Sequence, residues 1–240
     1  MKIKMIIKMN QKISELLGAH CGDGTLYKTS RGIVWELRGE LSEKGYYFDN
    51  ICPLLKDIFD LDLVSKFRSG GANGVWGIQT SKKKITHFFL KYGFVPGTKT
   101  YTVSVPKPVK ESSIGVKRAF VRGLFDTDGC LRFDRIKNRI EHTYPRIELG
   151  FASKVLRDEL KVLLDELGFR SFNWNDRTYY KICIAGKKML GKWIEEISPK
   201  NPKHLKKYDF WVKNGFYVPK SLITATVAQS GTALIHLRYP

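Results

Sequence analysis

The sequence predicts an α+β protein made of two copies of one αββαββα unit, and three observations carry that prediction. A nine-residue segment recurs in register, Leu16-Leu17-Gly18-Ala19-His20-Cys21-Gly22-Asp23-Gly24 and Val121-Arg122-Gly123-Leu124-Phe125-Asp126-Thr127-Asp128-Gly129, with 105 positions between the two copies. Each copy is followed by a stretch that alternates apolar and polar residues, the period of a half-buried strand. Beyond each stretch lies an amphipathic segment with apolar residues three and four apart, the period of a helix packed on one face.

The elements follow in order. Each repeated segment closes an apolar helical stretch that carries a glycine, Gly18 or Gly123. A glycine inside a helix costs about 1 kcal/mol against alanine, so two at equivalent places point to a shared need for close backbone approach. Two facing helices supply that need. Hairpins come next, with second strands Trp35 to Leu41 and Arg146 to Phe151, then helices Tyr47 to Phe59 and Val155 to Leu167. Second hairpins span Val64 to Thr80 and Phe169 to Ala185, and helices Lys82 to Tyr92 and Lys187 to Glu196 complete the units. The intervening stretch is rich in proline and reads as a linker. The predicted organisation is a first repeat over 1–95, a linker over 96–113 and a second repeat over 114–220 that includes a basic helix, Pro202 to Asn214. Residues 221–240 show no clear period and receive no element.

Composition bounds the function. With 42% hydrophobic and 12% aromatic residues the chain can bury a core, so its net charge of +19 belongs to a folded surface. A packed protein this basic is expected to meet a polyanion, nucleic acid ahead of an acidic membrane face. No apolar run approaches the roughly 18 residues that span a bilayer, and the lysine-broken N-terminus lacks a signal-peptide core. The expectation is a cytoplasmic or nucleoid protein, organellar in a eukaryote, with no membrane partner. Cys21, Cys52, Cys130 and Cys183 are far apart and form no paired motif, which argues against a zinc ribbon or disulfide framework and for reduced, mostly buried thiols.

Both repeated segments resemble the LAGLIDADG motif of homing endonucleases, and the likeness covers about Ile13 to Val218 in the single-chain, two-motif form. The first copy departs more, with Ala19-His20-Cys21-Gly22 where the family more often has apolar residues and then an acidic one, yet it keeps Asp23. The resemblance implies motif helices packed about a pseudo-twofold axis, with the antiparallel sheets forming a saddle. It also implies that Asp23 and Asp128, with Gly22 and Thr127 beside them, hold a divalent cation at each scissile phosphate. Mg²⁺ suits oxygen ligands and keeps several waters, as a metal shared among carboxylate, phosphate and attacking water requires. An Asp before Gly is by itself a common turn residue; repetition in register is what favours metal binding. Asp126 and Cys21 are read as local hydrogen-bonding or packing groups, and Cys21 lacks an organised base for a nucleophilic role.

The family also places polar and basic groups around the water. The matching positions are Glu43 and Lys44, Ser153 and Lys154 at the strand ends, then Lys99, and Lys203 or Lys206 with Lys206 taken as the catalytic candidate. A lysine there would stabilise developing negative charge. Glu43 stands where the family often has Gln, and Ser153 opposite it implies two unequal centres. Base reading is expected from Glu36, Arg38, Glu40, Lys66, Arg68 and Gln79 in the first repeat, and from Arg146, Glu148, Asn173, Asn175, Arg177 and Lys181 in the second. Because these sets differ, the target should be long and non-palindromic. Phosphate contacts are expected from Lys82, Lys83, Lys84, Lys187, Lys188, Lys206 and Lys207.

The function implied is site-specific double-strand cleavage of DNA, across the minor groove with short 3′ overhangs, in the service of the intron that encodes the enzyme. Neither terminus offers Cys or Ser followed by a splicing block, so an intron-encoded or free-standing enzyme is expected rather than an intein. The alternatives are an intron RNA maturase, binding its own intron RNA, or a non-cleaving regulator on the same fold. A structural nucleoid protein would leave the paired acidic motif without a role. Two motifs in one chain satisfy the pseudo-dimer interface, so a monomer is expected.

Overall fold

The computed structural model describes residues 8–70, 74–137, 141–176 and 179–218. Residues 221–240 and Arg177 lie outside the described residues.

Helix α1 (Gln11–Cys21) starts where the Asn10 side chain accepts the Ile13 N–H at 3.0 Å, satisfying one of the amides a helix start leaves unpaired. It leads into the hairpin β1 (Gly24–Thr29) and β2 (Gly32–Gly39). A helical run over 41–59 follows: a tight turn Leu41–Glu43, α2 (Lys44–Tyr46), a π turn Tyr47–Ile51 and α3 (Cys52–Phe59). Strands β3 (Lys66–Arg68) and β4 (Val75–Thr80) and helix α4 (Lys83–Lys91) complete the first repeat. The connecting stretch holds the single-turn helix α5 (Lys107–Lys110). The second repeat contains α6 (Ile114–Asp128), β5 (Gly129–Arg135), β6 (His142–Phe151), α7 (Lys154–Glu166), β7 (Ser171–Asp176), β8 (Tyr179–Ala185), α8 (Lys187–Glu196) and α9 (Pro202–Asn214).

The two sheets have the same antiparallel order, β1-β2-β4-β3 and β5-β6-β8-β7. One face of each is buried under helices, through Trp35, Leu37 and Ile78 in the first and Leu131, Ile147, Leu149, Ile182 and Ile184 in the second. The other face carries the charged residues of the alternation. The predicted linker is tighter than its prolines suggest. Val103, Val105 and Val109 are buried, and Glu159 on α7 accepts the Val105 N–H at 2.7 Å, so the stretch is clamped to the second repeat.

Helices α1 and α6 cross at the predicted glycines. A Cβ on Gly18 would lie 2.1 Å from the Phe120 carbonyl oxygen, and one on Gly123 would lie 2.0 Å from that of Glu15. These are backbone neighbours, so the helices touch main chain to main chain. Ser14 Oγ donates to Val116 O at 2.8 Å and Arg122 pairs with Glu15 at 2.6 Å, fixing the register of the crossing. Among the described residues, no helix is long and apolar enough to cross a membrane.

Two buried histidines brace the motif helices and should make the fold acid-sensitive. His20 packs on Phe89 and Phe94 and accepts the Trp35 indole N–H at 3.2 Å. His204 packs on Phe125, with Nε2 at 3.1 Å from the Phe125 carbonyl and Nδ1 buried without a partner. Burial holds both well below the usual 6.5, with neighbouring lysines pushing the same way. The unfolded chain therefore takes up these protons first as pH falls, and the stability they confer, complete above about 6.5, is lost below it. The stability advantage of the wild type over His204→Gln is expected to shrink between pH 7.5 and 5, as read by chemical denaturation. A gap that stays constant would place the histidine's protonation outside the folding equilibrium.

Candidate active site

The crossing delivers both aspartates to one point. Helix α1 ends at Cys21, Gly22 turns the chain with its N–H on Gly18 O at 3.2 Å, and Asp23 stands between helix and strand β1. Helix α6 runs two residues further, to Asp128 itself, and β5 begins at Gly129. Their side chains are within hydrogen-bond contact of each other. Burial pushes the Asp23 carboxyl up to about 7, with Asp128 and then Glu43 adding to the shift and Lys203 and Lys99 opposing it. Asp128 is also raised, first by burial, while Lys99, Lys203 and its hydrogen bond to Asp23 moderate the effect. Two carboxylates held this close resist joint ionisation, the strain that a cation would relieve. A cleft of about 680 Å³ opens beside them, lined in part by Gly22, Lys99, Leu156 and Tyr179.

Two lysines flank the pair in matching positions. Lys99 Nζ donates to the carbonyls of Cys21, at 2.6 Å, and Gly22, the last acceptors of α1. Lys203 Nζ donates to the Thr127 carbonyl at 3.0 Å and pairs with Glu43 at 2.8 Å. Each cation therefore caps the negative end of a motif helix. The carbonyls of Gly22 and Thr127, expected as metal ligands, are met by these ammonium groups. Burial lowers the Lys99 pKa despite the acidic neighbours, so its charge sits in a poorly solvated place.

The lysine of the second repeat is Lys203, which corrects the choice of Lys206. Lys206 is exposed one turn further along α9, and the cations acting on Asp23 and Asp128 are Lys99 and Lys203. Asn201 sets that geometry. Its side chain accepts the Lys203 N–H at 3.0 Å and donates to Glu43 Oε1 at 2.6 Å and to the Asp126 carbonyl at 2.7 Å. Asp126, fully buried with its pKa pushed up to about 7 by that burial, accepts the N–H groups of Lys200 and Asn201. It anchors the start of α9, the local role expected of it. Cys21 is buried with its thiol pushed up to about 12 by burial, which suits a packing role.

The two strand-end positions differ. Glu43 enters the site as a third carboxylate, held by Asn201, Lys203 and the Glu40 N–H. Ser153 does not, because it is fully buried and its hydroxyl donates to Val103 O at 2.7 Å while accepting the Leu156 N–H. It caps α7, and its inclusion among the catalytic residues is corrected. Lys44 is exposed over the Trp76 ring at 4.8 Å, and Lys154 pairs with Asp158 at 2.7 Å on the surface.

On the sheets, strand register decides which residues share the open face. In the first repeat Glu36 opposes Gln79, and Arg38 opposes Gly77, which opposes Lys66. Arg68 joins the same face and, through Gln79, connects to the Tyr27 hydroxyl. Glu40 lies past the end of β2 and closes the turn that follows, so it leaves the base-reading set. In the second repeat Arg146, Glu148 and Lys181 are on the open face. Asn173 and Asn175 are not: they oppose Ile182 and Tyr180 on the helix-covered side, where Asn175 accepts from Arg157 at 3.3 Å. Phe172 and Trp174 take their places in the open, 44% and 37% exposed.

These features are those of the LAGLIDADG fold: two αββαββα repeats, glycines at a motif-helix crossing, and one aspartate at the foot of each helix. Residues 115–198 match the model of the LAGLIDADG-like domain, and the chain as a whole has the two-domain, pseudo-symmetric LAGLIDADG fold. The homing endonuclease I-DmoI, in a structure of its mesophilic variants, superposes with a TM-score of 0.57 over 82% of this chain and 97% of that one, at 16% identity. The meganuclease I-SmaMI bound to uncleavable DNA gives 0.55 over 87% and 90%, at 13% identity. By sequence the chain is similar to the replication factor C small subunit of Methanocaldococcus jannaschii, 26% identical over 204 residues, and to an A-type ATP synthase subunit of Pyrococcus abyssi, 25% identical over 191. The matches cover 82% and 80% of this chain but only 10% and 17% of those proteins.

Proposed function

We propose that the chain is a divalent-metal-dependent endonuclease that cuts both strands of duplex DNA at one long asymmetric site, in the service of the intron that encodes it. The observation that carries this reading is the convergence of Asp23 and Asp128, each with its own lysine, at the crossing of the two motif helices. The structural relative I-DmoI is known in complex with DNA and Mn and with DNA and Ca, which supports both the substrate and a hard cation.

The donor set fits such a cation. Abutting carboxylates with raised pKa values offer hard oxygen ligands. Among the described residues no three His, Cys, Asp or Glu side chains converge into a complete cage, which leaves positions for water and phosphate. When bound, a cation such as Mg²⁺ would activate water and neutralise charge on the phosphate. The chain's own groups do the rest. Asp23 and Asp128 fix the position of the reacting phosphates, Lys99 and Lys203 face the negative charge that develops there, and Glu43 stands as an acceptor beside Asp23. The unlike open faces of the two sheets support a non-palindromic target.

The test is incubation of a randomised duplex library with the full chain and Mg²⁺, beside an EDTA control. Metal-dependent double-strand cuts at one long sequence are expected; selective binding without cuts would transfer the reading to a non-cleaving DNA binder. Binding should be strongly salt-dependent, since Lys82, Lys83, Lys187, Lys188 and Lys206 are all exposed. If these and their neighbours make six or more phosphate contacts, affinity should fall about 10³-fold or more between roughly 50 and 200 mM salt. A flat salt profile in filter binding would remove phosphate neutralisation as the basis of affinity.

A further inference from the structure

The open face of the second sheet carries aromatic rings that the catalytic reading does not use. Register places Tyr144, Phe172, Trp174 and Tyr179 on this face, opposite Asp134, Cys183, Lys181 and Asp176 respectively. They are 36%, 44%, 37% and 53% exposed. Among the described residues, the first sheet has one ring on its equivalent face, Tyr27, and its hydroxyl is engaged by the Gln79 amide. Exposed rings clustered on the open face of one sheet and not the other imply a partner group that is itself apolar and present in only one half of the target.

The charged neighbours of these rings are already matched. Arg146 pairs with Asp134, and Arg132 bridges Asp134 at 2.9 Å and Glu148 at 3.1 Å. Cations also cover the rings: Lys181 Nζ lies 4.2 Å from the Trp174 centroid, and the Arg146 guanidinium lies 6.0 and 5.9 Å from those of Tyr144 and Phe172. Stacking on an unpaired base needs an open ring face, which these cations obstruct. Ring edges remain, and they suit a small apolar protrusion. In the major groove of duplex DNA that protrusion is the C5 methyl group of thymine.

We propose that the second repeat reads thymine methyl groups in its half of the target through the edges of Phe172 and Trp174, flanked by Tyr144 and Tyr179. The proposal rests on the reading of the chain as a duplex-DNA-binding enzyme. It makes the two half-sites chemically unlike: one is read through polar networks, the other through apolar contact with thymines.

The experiment begins with selection of bound duplexes from a randomised library by the full chain, then by Trp174→Ala and Phe172→Ala. Both are exposed positions whose truncation removes no core contact. The selected duplex is synthesised with deoxyuridine in place of thymidine in one half, then in the other; this removes the methyl and leaves base pairing intact. Thymines should be enriched in one half only, and the enrichment should relax in both variants. Deoxyuridine in that half should weaken binding about fourfold per methyl removed, and less than twofold in the other. Affinity unchanged by deoxyuridine in either half, or a penalty that persists in Trp174→Ala and Phe172→Ala, would overturn the proposal while leaving the nuclease intact. Recovery of no preferred duplex at all would overturn the DNA-enzyme reading and this one with it.

Discussion

Replacing Asp128 by Asn is expected to abolish cleavage of both strands of the selected duplex, with a loss of about 10³-fold or more, since charge stabilisation at the phosphate is worth several kcal/mol. Both strands should be affected because the Asp23 and Asp128 side chains touch, so neither centre keeps its geometry when one carboxylate is lost. Binding should survive, because the open faces of the sheets and the exposed lysines are untouched. The variant should also fold as well as the wild type without metal, since it removes one of two abutting buried carboxylates. Strand-labelled duplex resolved on a denaturing gel, with mobility shift in parallel, checks both halves of the expectation. A variant that nicks one strand at the wild-type rate would show that the centres act independently despite the contact.

Much of this site is legible in the sequence because the motif repeats. Gly18 and Gly123 announce a close helix crossing, and an aspartate at a fixed distance beyond each must emerge where the helices meet. What the sequence hides is local. Choosing Lys206 over Lys203 leaves the start of α9 unfixed, although Asn201 followed by Pro202 is a cap and first-turn pair that places Lys203 in the first turn. Ser153 carries a similar signal, three residues before the Leu156 N–H that it caps. Placing Asn173 and Asn175 on the open face takes polarity as a mark of that face, whereas both are exposed on the edge strand while sharing the side of Ile182. Register is set instead by Ile182 and Ile184 on β8, which must be buried, and they turn Phe172 and Trp174 outward. The rule that apolar side chains face the core breaks down where the sheet has a surface to present.

The second large effect belongs to Gly123. In Gly123→Ala the new methyl would fall 2.0 Å from the Glu15 carbonyl oxygen and 2.9 Å from the Ala19 amide nitrogen, both main-chain atoms that no side-chain rotation can move. The helices must separate, and α1 and α6 carry Leu16, Leu17, Phe120, Val121, Leu124 and Phe125, all buried at or near the junction of the repeats. The cost should reach about 3 kcal/mol, the upper end for overpacking, or roughly 10 °C in Tm for a chain of this length. Activity should fall further than stability explains, because the two motif aspartates are placed by the same crossing and a displacement of about 1 Å can cost ~10²-fold in rate. Assaying at a temperature where the variant is still folded by circular dichroism separates the two effects. Gly191→Ala, at a helical glycine with nothing near the added methyl, is the control: it should raise stability by up to about 1 kcal/mol, the helix preference of alanine over glycine, and leave cleavage unchanged. If Gly123→Ala, folded, cut at the wild-type rate, the crossing would hold the repeats together without setting the catalytic geometry.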